Sequence, residues 1–377
     1  MSNTLTNLIP DLYSAIDVVS RELVGFIPAV TLDASATRAA VGETIRVPIT
    51  PAAAAEDVTP GTTPPDTGDQ AIGNAQLSIT KARTVPFRWT GEEQKGLNNG
   101  PGYASIRVQQ IAQAIRTLVN EVESDIALLY KKSSRAYGTA GTTPFASNLS
   151  EAAQVLKILK DNGAPEGDLH LIIGTTAGAN MRSLSQLSKA NEAGDDSMLR
   201  QGVLLNLFGM MIRESAQVKT HVIGAGASYQ VNHAAYSIGD TDITVDTGSG
   251  TIVAGDVVTA AGDANKYIVG TPLAANVFSL NKPGLRAALA DNAALTVGAA
   301  YTANMAFHRS AMVLVARPPA LPEEGDMAED RMLVTDPRSG LVFEVAMYKQ
   351  YRRIRYEISL AWGASNIKSE HTATLLG

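Results

Sequence analysis

Residues 103–136 read YASIRVQQIAQAIRTLVNEVESDIALLYKKSSRA, and this stretch decides the fold. Ile111, Ile115, Leu118, Val122, Ile126 and Leu129 step by three or four positions, which aligns them on one face of a helix. A helix of about 30 residues runs roughly 45 Å at 1.5 Å per residue. Only one side is apolar, so the helix is expected over Tyr103–Ala136 lying on a sheet, not buried all round. Lys131, Lys132 and Arg135 fall in its expected last turns, where cations suit the helix dipole.

Upstream, Asn98–Gly102 breaks the chain, and before it Glu43–Ile49 and Gln76–Trp89 read as two strands. In the second, Leu77, Ile79, Val85, Phe87 and Trp89 share a face at period 2, interrupted by Lys81 and Arg83. The connection between the strands is rich in Pro, Ala, Thr, Gly and Asp and has almost nothing to bury. Pro48, Pro51, Pro60, Pro64 and Pro65 cannot donate ladder hydrogen bonds. Structureless connections longer than ~15 residues are uncommon inside a compact domain. An arm that lies on another molecule is therefore expected here, with a plain flexible loop as the alternative. Further upstream, Leu12, Ile16, Val19 and Leu23 make Asp11–Leu23 an amphipathic helix, stopped by Gly25 and Pro28. Asp11, Asp17, Arg21 and Glu22 form its polar face.

Downstream the pattern alternates. Leu149–Lys160 reads as a helix, Leu169–Ile173 as a buried strand, Thr175–Leu187 as a helix, and Met198–Ser215 as a helical piece, a turn and a strand. From Val222 to about Met305 the chain becomes rich in Gly, Ala, Thr, Asp and Val. Short strands are expected there at Asp242–Val245, Thr251–Ile252, Asp256–Ala260, Tyr267–Val269 and Val277–Leu280. Such spacing indicates a small β-barrel or sandwich inserted into a host fold. The host resumes with a strand over Phe307–Arg317, an acidic loop over Pro318–Asp330, and a hairpin turning at Asp336–Gly340. A last long strand is expected over Glu344–Trp362, with Arg353 and Arg355 on one face and Tyr348, Ile354, Tyr356 and Ile358 on the other.

The chain has 377 residues, 45% hydrophobic and 18% charged, enough to build sizeable cores. A net charge of -6 speaks against a dedicated nucleic-acid binder. The absence of cysteine excludes disulfides, thiolate catalysis and cysteine zinc sites. No signal peptide and no membrane-spanning run is read, so synthesis in the cytosol is expected.

No catalytic constellation emerges. Gly174–Gly178 (GTTAG) sits between a strand and a helix but lacks the Gly-Lys-Ser/Thr ending of a phosphate loop. His170, His221, His233, His308 and His371 are scattered, and the pairs Asp195–Asp196 and Glu323–Glu324 sit in polar loops. No calcium loop is present, and no cofactor or metal is expected. The basic strand Lys349–Arg355, with Lys349, Arg352, Arg353 and Arg355, is the one charge cluster with a functional reading. It could face nucleic acid or the acidic loops of neighbouring subunits.

The order of these parts resembles the tailed-phage major capsid proteins of the HK97 fold, and within them the coat proteins of P22-like phages. The stretches that carry the likeness are NLIPDLYSAIDVVSRELVGFIPAV (7–30), MLRQGVLLNLFGMMIRES (198–215) and FEVAMYKQYRRIRYEISLAWG (343–363). The resemblance implies an α+β capsid fold with an N-terminal arm (1–40) and an extended loop with its base (41–97). A spine helix and peripheral domain follow (98–148), then an axial domain (149–221 and 306–342) split by an inserted β-barrel (222–305). A return strand and the C-terminus complete it (343–377).

It also implies self-assembly into hexamers and pentamers of an icosahedral shell around double-stranded DNA, with no enzymatic activity. A separate scaffolding protein, a portal and a decoration protein are implied partners, in the virion and, during assembly, the host cytoplasm. Arg46, Lys81, Arg83, Arg88, Glu92 and Glu93 become subunit-contact candidates, and Asp11, Asp17 and Glu22 scaffold-contact candidates. Covalent cross-linking through Lys81, a nanocompartment shell of the same fold, and an α/β enzyme with a β accessory domain are the alternatives.

Overall fold

A computed structural model describes residues 24–34, 37–50, 53, 55–63, 67–97, 102–188 and 206–377. The expected helix over Asp11–Leu23 and the first part of Met198–Ser215 lie outside these residues, as does most of Asn98–Gly102.

The chain opens with β1 (Thr31–Ala34), β2 (Thr44–Ile49), β3 (Gly73–Ser78) and β4 (Lys81–Thr90). Helices α1 (Gly91–Leu97) and α2 (Tyr103–Ala127) follow, then β5 (Arg135–Tyr137), α3 (Ser150–Asp161), β6 (Leu169–Gly174), α4 (Thr175–Ser183) and α5 (Ser185–Ser188). After them come β7 (Asn206–Leu207), β8 (Met210–Ser215), β9 (Tyr229–Val231), β10 (Ala235–Tyr236), β11 (Asp242–Asp246) and β12 (Val257–Ala260). The series continues with β13 (Lys266–Ala274), β14 (Val277–Leu280), β15 (Leu289–Ala290), β16 (Ala294–Val297) and β17 (Ala303–His308). It ends with β18 (Met312–Arg317), β19 (Asp330–Thr335), β20 (Val342–Gln350), β21 (Arg353–Asn366) and β22 (Thr372–Leu376).

Helix α2 has the expected apolar stripe, with Leu118, Val119, Val122 and Ile126 buried against Ile358, Leu360 and Trp362 of the sheet beneath. It is shorter than its sequence pattern. After Ala127 the backbone tightens into a 3-10 turn, Leu128–Lys132, and Arg135 enters a strand. The Ser134 amide and hydroxyl both donate to Thr372 O, which draws the chain into the sheet. Arg135 is therefore buried, and its guanidinium bonds Asn265 at 2.8 Å instead of facing a helix end.

Strand β21 organises the first sheet. One edge carries β4 along residues 353–362; the other is shared by β20 along 353–359 and β18 along 361–366. β1 and β19 lie at the margins. The single long strand expected over Glu344–Trp362 is thus two strands, folded back at Tyr351–Arg352. The turn has no Gly, Pro, Asn or Asp to announce it, and Arg352 itself takes the left-handed conformation, φ 56°. Arg353 and Arg355 do share a face opposite Ile354, Tyr356 and Ile358. Tyr348, however, pairs directly with Arg355 and so lies on the arginine face.

Two other expected strands are also broken. Gln76–Trp89 divides at Ile79–Thr80, where the Thr80 amide leaves its hairpin to donate to Trp362 O. Phe307–Arg317 divides at Arg309–Ala311, a 3-10 turn capped by His308, and its two halves join different sheets. The expected helix Thr175–Leu187 is interrupted at the extended residue Leu184. The hairpin around Asp336 forms as expected, with the Asp336 carboxylate accepting from the Ser339 amide and hydroxyl.

The second sheet runs β12-β16-β9-β11-β14-β13-β5-β22-β17-β6-β8-β7, and β12 also pairs with β13. Six strands from β9 to β16 therefore close into a ring around their own core, including Val231, Val245, Val269 and Phe278. β9 and β16 complete it, whereas Thr251–Ile252 is not a strand. The ring is joined to the rest by β13 on β5. Helices α3 and α4 cover one face of β6, β8, β17 and β22 through Val155, Leu159, Met181 and Leu375. The pairing crosses the sequence-based division at 306–342, since β17 belongs to this sheet and β18 and β19 to the other.

Candidate assembly surfaces

Among the described residues strands β2 and β3 pair only with each other, in a two-stranded hairpin. Its described outer residues are exposed, Val58 at 97% and Ile72 at 72%. An isolated hairpin is marginal in water, so the arm depends on its base. There Leu77 and Ile79 pack with Ala39, Val313, Val315 and Ala361. Strand β21 approaches so closely that a Cβ on Gly363 would stand 2.1 Å from Ser78 O. Glycine is what this crossing requires.

Helix α2 locks the same region. Asp125 accepts from Lys81 Nζ at 2.7 Å and from Trp362 Nε1 at 2.8 Å, joining helix, β4 and β21. Glu121 lies 3.6 Å from Arg83. Lys81 and Arg83, expected at a subunit contact, therefore have carboxylate partners within the chain. On the other side of α2, the fully buried Glu123 accepts from the amides of Gly25, Phe26 and Ile27 and from the Ser215 hydroxyl at 2.6–3.0 Å. Burial raises its pKa, and these four bonds pull the other way. A charged residue beside Val119, Val122 and Ile126 in the apolar stripe was the sequence signal for this anchor.

The remaining contact candidates divide. Arg46 on β2 and Glu92 on α1 are exposed, while Arg88 is half-buried opposite Arg355. Glu93 accepts from the Thr90 amide at 2.8 Å, and Thr90 Oγ1 accepts from the Glu93 amide. This capping box, readable as Thr90-Gly91-Glu92-Glu93, starts α1. Asp11, Asp17 and Glu22 lie outside the described residues. In the basic hairpin, Lys349 bonds Glu329 at 2.7 Å and Arg355 pairs with Glu357. Arg352 and Arg353 stand exposed at its tip beside Tyr351, which is 89% exposed. Between this tip and the start of α1 runs a groove of about 980 Å³.

The histidines and the glycine turn have structural surroundings. His221 bonds Asp256 at 2.8 Å and Tyr130 OH at 2.7 Å, all buried where the strand ring meets the 3-10 turn that follows α2. Burial, with Asp256 nearby, pushes the Tyr130 phenol up to about 12. His170 is fully buried on β6, with no partner for either ring nitrogen among the described residues. Burial, aided by Arg309 and Arg213, pushes it down to about 4. In the GTTAG turn, a Cβ on Gly178 would collide with the Glu214 carboxylate, which pairs with Arg182. That glycine makes room for an ion pair. Among the described residues no group of three His, Cys, Asp or Glu could hold a metal, and no helix is long and apolar enough to cross a membrane.

No family model and no curated protein matches the sequence. Solved structures do match. One from Mycobacterium phage Che8 aligns at 14% identity and TM-score 0.51, over 99% of this chain and 98% of that one. The capsid structure of the cyanophage P-SCSP1u aligns at 13% identity and TM-score 0.52, over 100% of this chain and 95% of that one. Identity this low speaks for fold alone, and the two chains run together from end to end. This chain shares its fold with a chain of a cyanophage capsid along its whole length.

Proposed function

We propose that this chain is the major capsid protein of a tailed bacteriophage, of HK97 type, whose work is repeated association with copies of itself. The observation that carries the reading is the β2–β3 arm. Among the described residues it pairs with no other strand, yet its base is built into the sheet through Leu77, Ile79 and Gly363. Such an arm gains its burial on a neighbour. The end-to-end fold likeness to a capsid chain supports the same reading. A subunit held by several modest contacts at once gives a closed shell more stable than any single pair.

The finer parts of the proposal rest on the P22-like resemblance. The arm is the extended loop, α2 the spine, and the strand ring of β9 to β16 an inserted domain that supports folding or capsomer contacts. A separate scaffolding protein meets Asp11, Asp17 and Glu22, and a portal, a decoration protein and non-specifically held double-stranded DNA are further partners. Negative-stain microscopy of the protein, expressed alone and with the product of a neighbouring scaffold gene, tests the reading. Closed shells tens of nanometres across are expected; discrete monomers in both preparations would overturn it.

A further inference from the structure

We propose that the groove at the tip of the β20–β21 hairpin receives the acidic loop 322–328 of a second copy of this chain. The inference rests on the shell reading and names one of its contacts.

The groove has an apolar wall of Trp89, Ile354 and the exposed Tyr351, and its mouth carries Arg352 and Arg353. Its shape is set by bonded parts of one chain, since the Gly91 amide donates to Arg352 O and the Thr90–Glu93 box fixes the start of α1. The complementary element belongs to the same chain. Residues 322–328 read PEEGDMA, with Glu323 and Glu324 exposed and Met327 86% exposed. That loop is held in place too: Asp326 accepts from Tyr348 OH at 2.9 Å and pairs with Arg331. An outward thioether near two carboxylates matches, in packing and in charge, the aromatic wall and the Arg352–Arg353 side of the groove; Glu92 and Glu93 line the α1 side, Glu93 already engaged by the Thr90 amide.

At this end of the sheet the strands run β4, β21, β20, β19. The groove spans from the end of β4 and the start of α1 to the β20–β21 turn, and the loop precedes β19. Three strand spacings of about 4.8 Å separate the two margins, roughly 14 Å. Asp326 and Glu329 tie the base of the loop to Tyr348 and Lys349 of β20, across the hairpin from α1. A donor and an acceptor on different parts of the surface make a head-to-tail contact, the kind that builds a ring where the rotation closes.

The cysteine-free background makes the test direct. Single variants Met327→Cys and Gln94→Cys are co-assembled and oxidised. A disulfide-linked dimer is expected from the mixture and from neither variant alone. Normal particles without that dimer overturn the contact, as does a dimer from one variant alone. A parent chain that forms no particles overturns the shell reading instead. Independently, Glu323→Arg with Glu324→Arg, or Arg352→Glu with Arg353→Glu, is expected to lower particle yield at least tenfold, and all four together to restore it. Failure of the combined variant while each pair alone remains a folded monomer also overturns the contact.

Discussion

The Glu123 carboxylate accepts the Phe26 amide at 2.7 Å, although 97 positions separate the two residues. With Gly25, Ile27 and Ser215 it is the point at which α2 holds the emerging N-terminal segment. Glu123→Ala would leave three backbone donors unpaired and is expected to cost about 3 kcal/mol. Urea unfolding of the subunit measures this, and amide exchange at residues 25–27 should rise in the same variant. An unchanged midpoint would show that the anchor contributes nothing.

Gly363 is the second prediction. An alanine there would meet Ser78 O at 2.1 Å, so β21 or the arm base must move. Gly363→Ala is expected to destabilise by about 1–3 kcal/mol and to reduce assembly. Gly73→Ala, on β3 with open space around its Cβ, is the matched control. Equal thermal midpoints for the two variants would sink the idea.

His170 makes stability depend on pH. Its folded pKa of about 4 lies below the ordinary histidine value of 6.5, so the unfolded chain binds the extra proton. Its contribution is complete above about pH 6.5 and is lost as pH falls towards 4, on the order of 2–3 kcal/mol. His170→Leu removes the titration and two buried nitrogens that have no partner among the described residues. It should be at least as stable at pH 7 and lose less stability between pH 6.5 and 4. Parallel pH profiles for the two proteins would reject this assignment.

Deletion of residues 52–69 separates folding from assembly. The described part of that stretch is exposed and joins no sheet. The thermal midpoint should change little, and shells should fail to form. Normal shells from the deletion would reduce the arm to a loop.

The alternation of strands and helices was legible because it rests on periodicity. Leu118, Val122 and Ile126 mark α2, and the Asp336–Gly340 turn marks β19 and β20. The errors came where tertiary bonds end an element without a local signal. Thr80 is drawn off by Trp362 O, Ser134 by Thr372 O, and the tip at Tyr351–Arg352 has no turn residue. Positive charge was visible at Lys81 and Lys349, but not that Asp125 and Glu329 already answer it. Charge content can be counted in a sequence; its neutralisation depends on which distant residues meet.

The place of β22 carries a consequence for how the molecule is made. Ser134 bonds Thr372 across 238 positions, and β22 lies between β5 and β17 in the middle of its sheet. Both neighbours leave the ribosome before residues 372–376 exist, and until then each presents an open edge. Such long-range pairing folds slowly and exposes unpaired strands to neighbouring chains. Synthesis order therefore leaves two strand edges open until the end, and a late frameshift should yield aggregates in place of a truncated but folded chain.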